Sequence, residues 1–87
     1  MELKYTKHFQ KKLENIFPDV GYKLRFEKGN FKSGYCILKN EKVVIINKYF
    51  TTEGKINTII EILNLIKYDR NKIQKKNFEI LKKIKSL

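Results

Sequence analysis

The chain of 87 residues has one cysteine, one proline, one histidine and no tryptophan, and each scarcity closes a class of function. With Cys36 alone no internal disulfide can form, and nothing calls for an oxidising compartment, so a reducing cytoplasm is the expected location. A protein zinc site takes about four Cys, His or carboxylate ligands, or three and a water. One Cys and one His exclude a structural zinc, and no metal or cofactor is expected. No apolar run approaches the ~20 residues that span a bilayer. The opening Met1-Glu2-Leu3-Lys4-Tyr5 leads into charged sequence rather than an apolar leader, so neither secretion nor a membrane partner is expected.

Negative charge is scarce as well. Nine acidic residues face twenty Lys and Arg, a net charge of +11. The carboxylates are scattered, and no two share a helix face or strand edge as a general acid/base pair requires. Cys36 and His8 are a nominal nucleophile and base, but Cys36 lies within an apolar strand-like run, where a buried thiol is inert. Gly29 and Gly34 lack the lysine and hydroxyl spacing of a phosphate-cradling loop. The sequence reads as non-enzymatic.

What is present is a globular composition, 41% hydrophobic with five Tyr and six Phe. A chain of this size buries about 60% of its unfolded surface, enough for one modest core. The excess of cations favours anionic partners, RNA or DNA or the ribosome first and acidic protein second. Nearly all of it is lysine, in a chain also rich in Ile and Asn, a bias that AT-rich codon usage produces by itself.

Tyr5, Phe9, Leu13, Ile16 and Phe17 form the stripe of an amphipathic helix that Pro18 is expected to end. The period then changes to two: Tyr22, Leu24 and Phe26 alternate with Lys23, Arg25 and Glu27, as in a half-buried strand. Tyr35 to Leu38 and Val43 to Ile46 read as a hairpin that pairs Leu38 with Val43, Ile37 with Val44 and Cys36 with Ile45. Both its faces are apolar, so each needs a cover. From Thr52, the expected N-cap, to Leu87 the chain has no proline and one glycine, and reads as one helix or two. Steps of four and three link Ile59, Leu63, Ile66, Arg70, Ile73, Asn77, Ile80, Ile84 and Leu87 into a seam that one long helix can carry.

The expected fold class is therefore α+β: a helix, a three-stranded antiparallel sheet, a helix, and a basic C-terminal helix either continuous with the preceding one or separate. Residues 1–66 form the expected core domain and residues 67–87 a basic helical extension.

Two binding surfaces follow. Lys72, Lys75, Lys76, Lys82 and Lys83 of the C-terminal segment, with Lys23, Arg25, Lys28 and Lys32 around the first strand, are the candidate contacts to RNA or DNA phosphates. Tyr22, Phe26, Phe31 and Tyr35 interleave with the second group and are either core residues or a stacking surface for unpaired bases. The hairpin face of Tyr35, Ile37, Val44 and Ile46 is the candidate contact for a protein partner or homodimer.

The stretch Gly29-Asn30-Phe31-Lys32-Ser33-Gly34-Tyr35-Cys36, followed by Val43 to Ile46 and a helix, resembles a family of short, uncharacterised bacterial proteins with a G-x-F-x-x-G-x-C strand motif. The resemblance spans about residues 20 to 66 and implies fold rather than activity. The order helix, three strands, helix resembles the double-stranded-RNA-binding domain. The strand-then-helix half is similar to small zinc peptidases, with Ile60-Glu61-Ile62-Leu63-Asn64 standing where their H-E-x-x-H stands. Glu61 matches, and both metal ligands are replaced.

Overall fold

The computed structural model describes residues 4–29, 31 and 34–85. Thr6 opens the first helix, α1 (Lys7–Glu14), by accepting the Phe9 amide on its Oγ1 at 3.1 Å. Phe9 and Leu13 face inward, with Ile16 and Phe17 continuing the buried stripe, while Tyr5 stays 41% exposed. Pro18 acts one turn earlier than expected. It has no N–H to give the Glu14 carbonyl, so α1 closes there and Pro18 instead occupies the first turn of a short second helix, α2 (Phe17–Val20). Gly21, at φ 85°, then reverses the chain in a left-handed cap.

Three strands follow: β1 (Lys23–Glu27), β2 (Tyr35–Leu38) and β3 (Val43–Asn47). The β2/β3 hairpin has the expected antiparallel register, Leu38 with Val43 through Tyr35 with Ile46. The sheet as a whole is mixed, which corrects the antiparallel expectation. β1 pairs in parallel with β3, from Lys23 opposite Val43 to Glu27 opposite Asn47, in the order β1-β3-β2. β3 is the most β-branched of the three and apolar on both faces, so the centre suits it, and the polar-alternating β1 takes an edge.

The connection from β1 to β2 ends at Gly34, φ 84°, where a Cβ would enter the Phe50 ring. The second glycine of the strand motif is thus a packing position.

Val44 and Ile46 are fully buried, and Leu24, Phe26, Tyr35 and Ile37 pack against the same cluster. The hairpin face proposed for a partner is therefore the inner face, covered by the chain's own helices. The side left uncovered is the opposite one, with Leu38 36% exposed and Cys36, Val43 and Ile45 half-buried.

α3 (Thr52–Leu65) is capped by Thr51, one residue before the expected position, whose Oγ1 accepts the Gly54 amide at 3.0 Å. It buries Ile56, Thr58, Ile59, Ile62 and Leu63, a wide arc that suits a helix packed between α1 and the inner face of the sheet. The long seam does not form one helix. Ile66 is extended, a single 3-10 turn follows at Arg70–Lys72, and α4 (Lys75–Lys85) turns back. Asp69 accepts the Asn71 amide at 2.9 Å, a local bond that competes with helix continuation. Leu87, the last seam position, lies outside the described residues.

α4 is not an extension of a core ending at residue 66. Leu81 and Ile84, each 1% exposed, belong to the one hydrophobic cluster together with Leu13, Ile59 and Val44. A polar staple fixes it to α2. Asp19 accepts from the Gln74 amide at 3.0 Å and from Asn77 Nδ2 at 2.7 Å, and the same Nδ2 reaches the Asn15 carbonyl at 3.4 Å. Asn77, 3% exposed, is the buried polar residue of this joint.

Candidate functional site

The staple sets α4 antiparallel to α1. Asn77 lies beside Asn15, Ile80 and Lys83 lie beside Lys12, and Lys83 continues toward His8 and Lys4. Lys4 just ahead of α1, and His8 and Lys12 on it, are spaced by four residues and point one way. Lys76, Ile80 and Lys83 recur at i, i+4 and i+7 and form the facing stripe of α4. Between the stripes run two adjoining clefts of about 370 Å³ and 470 Å³ that share Lys12, Ile80 and Lys83. Phe9 and Ile80 give this groove an apolar floor, along which lysine stems can lie while their ammonium groups reach water.

Four lysines and a histidine therefore converge on one concavity, with Glu79 the single carboxylate along it. Glu14, the acidic residue of α1, is held by Gln10 Nε2 at 2.8 Å. Among the described residues, Lys4, Lys12 and Lys76 have no carboxylate within ion-pair distance. A cleft lined by one sign of charge, with low-dielectric walls, concentrates its field outward and gathers anions. The carboxyl of Asp19 is held below the usual carboxylate range, first by the Gln74 N–H and next by the Asn77 amide, with the Lys76 charge adding last.

The nine cations named from sequence do not make one surface. Lys76 and Lys83 line the groove. Lys75 and Lys82 flank Phe78 elsewhere on α4, and Lys72 is exposed on the 3-10 turn. Lys23 and Arg25 lie on the uncovered face of the sheet, Arg25 paired with Glu27 at 2.7 Å, and Lys28 is exposed beyond β1. Lys32 lies outside the described residues.

Three of the four strand aromatics are core residues: Tyr22 is 7% exposed, and Phe26 and Tyr35 pack on the core, while Phe31 is half-buried. Sequence reasoning left Lys4, His8 and Lys12 off the list, although their four-residue spacing was the signal that could have placed them there.

Cys36 lies on the uncovered sheet face and His8 in the groove, and they share no cleft. Among the described residues no group of three or more His, Cys, Asp or Glu is placed to hold a metal ion, and no helix is long and apolar enough to cross a membrane. On α3, Glu61 and Asn64 are exposed and Ile60 packs partly on the core. Compared with protein-family models, curated proteins and solved structures, the chain finds no match.

Proposed function

We propose that this chain is a non-catalytic binding module that takes nucleic acid, free or within a ribosome, across the cationic groove between α1 and α4. One observation carries the reading: the convergence of Lys4, His8 and Lys12 with Lys76 and Lys83 along a single line. A linear array of point charges on flexible stems fits a linear array of phosphates and needs no particular base sequence. Lys75 and Lys82, on the exposed side of α4, extend the positive surface beyond the groove.

Affinity for a labelled oligonucleotide, followed by fluorescence anisotropy across a salt series, tests the reading. If each of the four groove lysines neutralises one phosphate of a single strand, the groove contributes about −2.8 to the log–log salt slope, roughly a 50-fold loss of affinity between about 50 and 200 mM salt. Binding that does not change with salt overturns it.

A second reading, a protein-interaction or self-associating module, is favoured by the uncovered apolar patch of Cys36, Leu38, Val43 and Ile45. Light scattering that gives a monomer at high concentration counts against self-association.

A further inference from the structure

The flank of α4 away from the groove carries a different chemistry. The chain between α3 and α4 folds its 3-10 turn against this flank and leaves a shallow cleft of about 650 Å³, open to solvent. Two half-buried rings, Tyr68 and Phe78, line it, with Ile73 as an apolar wall, the exposed Asn71 amide at its rim, and beside that the Asp69 carboxylate, whose Oδ1 accepts the Asn71 backbone N–H. Phe78 has two cations over it and Tyr68 one. The Arg70 guanidinium is 5.1 Å and Lys82 Nζ 5.8 Å from the Phe78 centroid, and Lys85 Nζ is 5.1 Å from that of Tyr68.

Rings, a planar guanidinium and an amide together match the parts of a nucleobase. The guanidinium plane of Arg70, backed by the Phe78 ring, offers a surface for stacking, and Asn71 offers a donor and an acceptor for a base edge. Lys75, Lys82 and Lys85 supply charge for the phosphates on either side. A paired base keeps its faces inside the duplex stack and cannot present one to such a cleft. We propose that the Tyr68/Phe78 cleft seats an unpaired base of a single-stranded nucleic acid whose backbone crosses α4 into the α1/α4 groove. This rests on the groove being a phosphate track, and it adds a preference for single strands.

The test compares three labelled probes with equal numbers of phosphates: an oligothymidylate of about twelve nucleotides, an abasic strand of the same length, and a duplex. The full chain is expected to bind the oligothymidylate about 5- to 150-fold more tightly than the abasic strand. Phe78→Leu should remove that difference while leaving abasic and duplex binding, and their salt slopes, unchanged. Should Phe78→Leu fail to fold by circular dichroism, Tyr68→Leu and Arg70→Gln are expected to narrow the same difference. Equal affinity of the unmodified chain for the oligothymidylate and abasic strands overturns the base seat and leaves the phosphate groove standing. Absence of salt-dependent binding to any probe overturns both.

Discussion

Asn77→Ala should do more than any surface lysine to dismantle the groove, because Asn77 ties α4 to α2 and to the C-terminal end of α1. The substitution removes a 2.7 Å bond to the Asp19 carboxylate and a 3.4 Å bond to the Asn15 carbonyl. The first is charge-assisted, a class worth about 1.5–3 kcal/mol, and the second is too long to add much. Asp19 keeps its bonds from Gln74, so it is not left without partners. A loss of about 2–3 kcal/mol follows, and at about 4–8 °C per kcal/mol for a domain of this size the melting temperature should fall by about 10–20 °C. Circular dichroism melts supply the measurement.

The same staple fixes the sign of an acid effect. Asp19 is held below its ordinary range in the folded chain, so its contribution is fully present above the unfolded value of about 3.9 and is lost as pH falls through the lower folded value. The unmodified chain should lose stability below about pH 4, and Asn77→Ala should lose less over that range because part of the cause is gone. A melting temperature within about 2 °C of the parent, or an unchanged acid limb, refutes the claim that this joint holds α4 in place.

Gly34→Ala should cost about 1–2 kcal/mol for the left-handed backbone and a further ~1–3 kcal/mol for the encounter with the Phe50 ring. In a double-mutant cycle measured by urea denaturation, Phe50→Leu should recover part of the second cost and none of the first. Leu81→Ala should destabilise the whole domain by about 2–5 kcal/mol in one cooperative transition. An unmoved main transition in urea would mean that α4 folds apart from the rest.

The features legible in the sequence were those that a local period reports. The alternation of Tyr35 to Leu38 and Val43 to Ile46 specifies the hairpin register, because a slip of one residue would exchange every side chain between the faces. The stripe of Phe9, Leu13 and Ile16 likewise marks its own buried face. Periodicity does not identify neighbours or their direction, which is why the sheet was expected to be antiparallel throughout when β1 runs parallel to β3.

It also cannot say which of two apolar faces the helices will cover, so Val44 and Ile46 were assigned to a partner although they are core. The break after Ile66 depends on Asp69 capping a 3-10 turn, a signal carried by two polar residues inside a strong helical pattern. The groove was least visible because it exists only once α1 and α4 are set side by side. Its lysines belong to segments more than 60 residues apart, and the bond from Asn77 to Asn15 that brings them together spans 62.

Whether the groove or the diffuse net charge holds nucleic acid can be decided by salt-dependent anisotropy on two charge-matched double variants. Lys12→Gln with Lys76→Gln removes one groove lysine from each helix, while Lys39→Gln with Lys48→Gln removes two exposed lysines, one just after β2 and one just after β3. For a single-stranded probe, the groove variant should have a slope shallower than the parent's by about 1.4, so that its affinity changes about 7-fold less between about 50 and 200 mM salt, and the control should keep the parent's slope. Equal slopes for the two variants would contradict the assignment of nucleic-acid binding to the α1/α4 groove.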